Sequence, residues 1–375
     1  MDNYSIITLL VCKSNLNKQN ALYNKRYNYM PRTPLDKKDK KFENQLRNAE
    51  KYPLPILDLG PYLSGDLSLI DKTCRDLKDI AEGIGFMCII NHGIPKSVIK
   101  EMQKQATNFF ALPSDQKLAL KVDQHERGYL PFRSTSLRES RYAERVQIDN
   151  YEAFNFGTDY DENNPHVKAG KRLFGRNRWP DNSSELAKAS LNYSKKMTNL
   201  ALKILPIWAR VFNLDTEYFT PFFSKPHCYV RLIHYPPKTD LLQNEYGLGA
   251  HSDTSVMTFL PKENEPGIQI LDSQGNWFWP DVPDGAIVVN FGQLLERWTN
   301  NFVRATPHRV VPSIKKHRYS LPFFFSPNLE QRVTCLPTCT HTDNKPKYKP
   351  VSFQEFHSEY MTKVYKHFED FENIE

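Results

Sequence analysis

Residues 247–260 read Gly-Leu-Gly-Ala-His251-Ser252-Asp253-Thr254-Ser255-Val256-Met257-Thr258-Phe259-Leu260. The segment has the character of a β-strand, and a period of two sets His251 and Asp253 on one face of it. An imidazole and a carboxylate side by side are two thirds of a metal site. A second imidazole comes from Thr306-Pro307-His308-Arg309-Val310-Val311, 55 residues beyond Asp253, with room for intervening strands to bring it back. Two His and one carboxylate form the facial triad that holds Fe(II) on one side and leaves open positions for reacting ligands.

Ten residues after His308 comes Arg318-Tyr319-Ser320-Leu321-Pro322-Phe323-Phe324-Phe325, where alternation gives Arg318, Ser320 and Phe324 a common face. A buried guanidinium there would clamp a carboxylate through two parallel bonds. Fragments of the same pattern occur elsewhere. His341-Thr342-Asp343 lies in a Thr, Asn, Lys and Pro-rich stretch without alternation, and Arg138-Glu139-Ser140 has no ligand ahead of it. Only residues 251–320 string His-x-Asp, a distant His and Arg-x-Ser in order, each on strand-like sequence.

With 375 residues, 39% of them hydrophobic, the chain is long enough to bury a full core as one or two globular domains. The net charge of +7 belongs mostly to the start: residues 1–50 hold 10 Lys and Arg against 5 Asp and Glu, leaving 40 against 38 for the remainder. A nearly neutral body without a basic, aromatic-interleaved stripe argues against nucleic acid as partner. The scattered cysteines Cys12, Cys74, Cys88, Cys228, Cys335 and Cys339 suit a reduced, cytoplasmic protein better than a disulfide scaffold. Cys335, Cys339 and His341 are a zinc-site fragment without a second half, and are read as a surface loop. No apolar run reaches membrane-spanning length, and the run Ile6 to Cys12 lacks the features of a secretion signal.

Residues 1–50 are read as a flexible basic extension, with Met30 as an alternative start, and residues 51–375 as a single catalytic domain. Its helix-rich part covers 51–225. Leu54-Pro55-Ile56-Leu57-Asp58-Leu59 is strand-like, Leu67, Ile70, Cys74, Leu77 and Ala81 fall at helical spacing, and Phe86 to Ile90 reads as a buried strand. His92 is assigned to the turn that follows. A second helix carries Val98, Met102, Ala106 and Phe109, and a third is expected from Ser184 to Leu205, stopped by Pro206. From 226 to 330 the pattern inverts to short β-rich runs at 229–235, 251–260, 268–271, 276–279, 286–290, 303–311 and 318–325, which predicts an α+β chain with a mainly β core, a jelly roll flanked by helices. Ser352-Phe353-Gln354-Glu355 is a capping box that opens a last helix over 350–372, carrying Phe356, Tyr360, Val364 and Phe368.

Taken together these residues resemble the Fe(II)/2-oxoglutarate-dependent dioxygenases of the isopenicillin N synthase-like family, whose core is a double-stranded β-helix. The likeness spans about residues 53–330. It includes Leu54 to Leu59, Gly85-Phe86 to Ile94, Phe109 to Pro113, Glu152 to Gly157, Gly175 to Pro180 and the strand Arg231-Leu232-Ile233-His234-Tyr235-Pro236. Many plant members have Asn where this chain has Ile233. The resemblance implies that His251, Asp253 and His308 bind Fe(2+), that Arg318 and Ser320 hold the distal carboxylate of 2-oxoglutarate with help from Tyr235, and that O2 oxidises a small-molecule substrate with release of succinate and CO2. Ascorbate would serve as a reductant. Alternation puts Tyr229, Arg231, Ile233 and Tyr235 on one face, and Arg231 and Phe324 resemble positions that meet substrate in pyrimidine-base hydroxylases of the family. A buried structural ion pair is the competing role for Arg231.

Three other readings use the same side chains. An iron oxidase or oxidative cyclase of this fold would use Arg-x-Ser for its substrate carboxylate and need no 2-oxoglutarate; a relative without turnover would keep the metal alone; a zinc hydrolase also accepts two His and a carboxylate but leaves Arg318 and Ser320 without a task. The basic run Arg133, Arg138, Arg141 and Arg145 is assigned to a solvated face.

Overall fold

The computed structural model describes residues 40–65, 69–137, 147–181, 183–242 and 244–364. Readings that fall on residues 1–39, Leu67, Arg138, Arg141, Arg145 and Phe368 lie outside them. β-branched and aromatic runs broken by Pro, Gly and Asn make short strands: β1 (Lys51–Pro53), β2 (Ile56–Asp58), β3 (Phe86–Ile90), β4 (Gly128–Leu130), β5 (Glu152–Gly157), β6 (His227–Tyr235), β7 (Leu248–His251), β8 (Met257–Pro261), β9 (Ile268–Leu271), β10 (Trp277–Asp281), β11 (Ile287–Phe291), β12 (His308–Val310), β13 (Arg318–Ser320) and β14 (Phe323–Ser326). A five-stranded sheet runs β1-β10-β9-β12-β7. A larger one runs β2-β3-β11-β8-β14-β6-β5-β4, with β13 also paired to β6. This is the jelly roll predicted from the alternating segments, with a mainly β core and helices outside it.

Helices α1 (Ile70–Glu82), α2 (Lys96–Phe110) and α3 (Ser184–Val211) pack on the large sheet. The inward stripe of α3, with Tyr193, Met197, Leu200, Ile204 and Trp208, joins Val230, Leu232, Phe323 and Phe325 in one cluster, each large apolar side chain contributing about 1.5–3 kcal/mol. That burial corrects the expected stop at Pro206. The ring removes one backbone donor, but Ile207, Trp208 and Ala209 beyond it are fully packed, so the helix continues to Val211. Helix α4 (Phe353–Val364) opens on the expected capping box: the Glu355 amide donates to Ser352 Oγ at 3.2 Å, and the Ser352 amide donates to Glu355 Oε2 at 2.9 Å.

The basic extension does not stay loose as far as residue 50. A short helix, Lys40–Arg47, buries Leu46, whose carbonyl accepts from Gln269, while Arg47 donates to the carbonyls of Pro312 and Lys238. No described helix is long and apolar enough to cross a membrane.

Behind the large sheet, Glu152 of β5 gathers Lys117 Nζ at 2.8 Å, His234 Nδ1 at 2.7 Å and the Tyr129 hydroxyl at 2.5 Å. Neutralising the carboxylate leaves Lys117 without its counter-charge in a largely buried setting. Glu152→Gln is therefore expected to lower unfolding stability by about 2 kcal/mol, read from urea denaturation with an unchanged slope; an unaltered midpoint would refute the assignment.

Candidate metal centre

His251 ends β7 and faces its register partner His308 on β12, the two rings 4.4 Å apart. Asp253 does not lie on the same strand, as the alternation had suggested. The chain leaves β7 at Ser252 and crosses as an irregular corner to β8 in the other sheet. Two contacts fix the corner: the Gln293 amide donates to Asp253 O at 2.7 Å, and Gly292 lies so close beneath it that a side chain there would collide with the Ser255 carbonyl. The carboxylate is still delivered to the two imidazoles. Asp253 Oδ1 stands 3.6 Å from His251 Nε2 and 3.7 Å from His308 Nε2, and one donor atom from each of the three residues lies within 4.8 Å of the others.

Surrounding bonds leave the right atoms free. Thr258 Oγ1 and Asn290 Nδ2 both donate to Asp253 Oδ2, at 2.6 and 2.8 Å, so Oδ1 faces the imidazoles. His251 Nδ1 lies 2.8 Å from Gly249 O and His308 Nδ1 3.3 Å from Thr306 O, which assigns the proton to Nδ1 and the lone pair to Nε2. Burial and the neighbouring His308 push His251 down to about 4. Burial alone would raise Asp253, but His308 and His251 beside it, with the bonds from Thr258 and Asn290, hold it below the ordinary carboxylate range. An anionic oxygen and two imidazole nitrogens converging in this way fit a divalent transition metal. Among the described residues no other three His, Cys, Asp or Glu side chains group so. Cys335, read as part of a possible zinc fragment, instead bonds Arg297 O and Asn300 Oδ1, and His92 serves its turn by accepting from the Ile94 amide.

The centre opens into a chamber between the two sheets with about 1050 Å³ of space, part of it open to solvent. At one end stand Arg318, Ser320, Tyr235 and Ile233 with apolar Leu248, Leu260, Ile268 and Val310. Arg318 is 2% exposed, its Nη1 has no hydrogen-bond partner, and its guanidinium carbon lies 4.7 Å from the Tyr235 ring centre. A buried guanidinium with an unpartnered Nη1 fits a carboxylate ligand. Gly267 makes the position possible, since any side chain there would collide with Arg318.

The other end holds Arg231, Tyr229, Phe324, Glu126, His227 and Ser326 with Phe353, His357, Tyr360 and Met361 of α4. Arg231 donates to Asn155 Oδ1 at 3.1 Å and to the Tyr229 hydroxyl at 3.3 Å. His227 Nδ1 and Ser326 Oγ have no partner. Burial would raise Glu126, yet His357 and Arg172 hold it well below the ordinary carboxylate range. His357 spans from Glu126 Oε2, 3.3 Å away, to Thr254 Oγ1, 2.8 Å away, and so ties α4 to the corner beside Asp253. Glu126, His357 and the α4 wall were not singled out from sequence. Nor were Gln147 and Asp149, which accept from the amides of Ala250 and Gly249 and align β7; an alternating polar pair was their faint signal. Arg133 is exposed, as the solvated-face reading expects, and its guanidinium also pairs with buried Glu245 at 2.8 Å.

Fold and site together define a metal-dependent enzyme on a jelly-roll scaffold. Residues 54–182 match the family described as the N-terminal part of non-haem dioxygenases in morphine synthesis, and residues 226–327 match the 2OG-Fe(II) oxygenase superfamily. The chain is 31% identical over 309 residues to the 2-oxoglutarate-Fe(II) type oxidoreductase hxnY of Emericella nidulans, covering 80% of this chain and 87% of that one. It is 31% identical over 299 residues to the 2-oxoglutarate-dependent dioxygenase citB of Monascus ruber, covering 77% and 89%. Among solved structures, a 2OG-Fe(II) oxygenase family protein from Caulobacter crescentus superposes with a TM-score of 0.71 at 25% identity, covering 83% of this chain and 98% of that one. A full-length Neurospora crassa protein solved in complex with alpha-KG gives a TM-score of 0.71 at 22% identity, covering 82% and 96%.

The chain belongs to the 2OG-Fe(II) oxygenase superfamily, in the isopenicillin N synthase-like branch of jelly-roll dioxygenases. It is a non-haem iron enzyme that uses 2-oxoglutarate and O2 to oxidise a small molecule.

Proposed function

We propose that His251, Asp253 and His308 hold the Fe(II), that Arg318 and Ser320, assisted by Tyr235, hold the distal carboxylate of 2-oxoglutarate, and that Arg231 and Phe324 face the substrate, which is hydroxylated. The observation that carries this reading is the orphaned Nη1 of Arg318 at one end of a chamber whose middle gathers three converging donors. Bound iron, with 2-oxoglutarate and O2, supplies the oxidant for an unactivated C–H bond. The protein binds, orients and excludes water. Thr258 and Asn290 keep Asp253 Oδ1 directed at the metal position, and Gly249 O keeps the His251 lone pair there. Leu248, Leu260, Ile268 and Val310 dry the cosubstrate end. At the far end Arg231, His227 and Ser326 offer hydrogen bonds while Phe324 and Phe353 offer ring faces, which suits a small molecule with a polar edge and a flat apolar body. Residues 51–375 act as one catalytic unit. A reduced, cytoplasmic setting agrees with free Cys74, Cys88, Cys228, Cys335 and Cys339.

The test mixes protein anaerobically with Fe(II) and 2-oxoglutarate, follows the weak visible charge-transfer band of the chelate, and then counts succinate per product formed in air. A band and one succinate per product are expected. Iron binding without a band, and product without succinate, would favour the cosubstrate-free oxidase or cyclase. Failure to bind iron would favour a zinc hydrolase or a relative without turnover.

A further inference from the structure

The clamp expected to receive the cosubstrate already has a carboxylate against it. Glu263, two residues past the end of β8, places Oε2 2.5 Å from Arg318 Nε, and the Ser320 hydroxyl is within hydrogen-bonding reach of the same group. Both charged side chains are buried, at 2% and 7% exposure, and Glu263 Oε1 has no partner. Glu263 does not line the chamber, whereas Arg318 and Ser320 do. The acid therefore stands against the Nε edge of the clamp as an ion pair, while Nη1 of the same guanidinium has no hydrogen-bond partner.

We infer that Glu263 is a built-in competitor that sets how tightly this enzyme holds 2-oxoglutarate. The inference rests on the reading of Arg318 and Ser320 as the cosubstrate seat. Without cosubstrate, Arg318 and Glu263 balance each other in a site with little water to do so. When the distal carboxylate arrives, one guanidinium serves two carboxylates, and the two negative charges stand a few ångströms apart across it with weak screening. Affinity for the dianion falls while the empty seat is stabilised. The ammonium of Lys262, next in sequence, does not offset this charge, because it pairs outward with Asp284 at 2.6 Å.

The opposed effects on affinity and stability give the test. Glu263→Gln keeps the shape and an acceptor for Nε but removes the charge. Anaerobic titration of the Fe(II) chelate band should give a dissociation constant for 2-oxoglutarate about tenfold below wild type or lower. Thermal unfolding of the metal-free variant without 2-oxoglutarate should occur at lower temperature than wild type, since Arg318 then lacks its counter-charge. Glu263→Asp, which keeps the charge but draws it back from Nε, should fall between the two in affinity. An unchanged or weaker affinity for 2-oxoglutarate in Glu263→Gln would overturn the inference, whatever its stability. Arg318→Ala separates the two levels: if it binds 2-oxoglutarate as wild type does, the seat reading itself fails; if it loses the band while Glu263→Gln stays at the wild-type affinity, only the role of Glu263 fails.

Discussion

Asp253→Ala is expected to abolish iron-dependent turnover, with a loss on the order of 10³-fold or more, and to leave the purified protein without stoichiometric iron. The carboxylate is the only anionic donor of the three and sits 3.6–3.7 Å from both imidazole nitrogens, so its removal takes away both a ligand and the charge that favours a divalent ion. Two neighbours give an internal scale. Thr258 and Asn290 reach the metal position through Asp253 Oδ2, and Asn290→Ala should weaken iron binding by about 10- to 100-fold while preserving turnover at saturating metal. Metal analysis after dialysis, together with succinate release, checks both variants. Full activity in Asp253→Ala would sink the assignment of the centre.

Arg318→Ala is expected to raise the concentration of 2-oxoglutarate needed for half-maximal rate by about 100-fold or more, because cutting one partner from a buried charge pair costs about 2–5 kcal/mol. The anaerobic chelate band should vanish at cosubstrate concentrations that saturate the wild type, while iron content stays normal. Arg318→Lys should recover only part of the loss, since an ammonium cannot reproduce the planar fork that a carboxylate meets. A normal cosubstrate requirement in Arg318→Ala would show that the guanidinium serves the substrate instead, as the oxidase alternative requires.

Much of this was legible in the chain because the two histidines and the proposed clamp lie on strands. Arg318 with Ser320, and the face carrying Tyr229, Arg231, Ile233 and Tyr235, follow from counting by twos, and both line the chamber. Counting failed where the backbone leaves regular geometry. Asp253 belongs to a corner fixed by Gln293 and Gly292, about 40 residues away, which no local period announces. Pro206 misled because a propensity for breaking helices lost to the burial of Ile207 and Trp208. Glu126 and His357 escaped notice because they are 231 residues apart in sequence and meet only once α4 has closed over the chamber. Glu263 escaped because an acid in a Lys, Asn and Pro-rich loop reads as solvated until its exposure is known.

The corner at Ser252 to Val256 has a mechanical consequence. His251 and His308 come from the five-stranded sheet, whereas Asp253 is anchored through Thr258 and Asn290 to the larger one. An ion gripped by all three is a clasp across the sandwich, and by mass action it adds to the folded state in proportion to the logarithm of its free concentration. With the ion held at the proposed site, the two halves of the roll would be fastened more firmly than in the metal-free protein, which proteases are expected to open first.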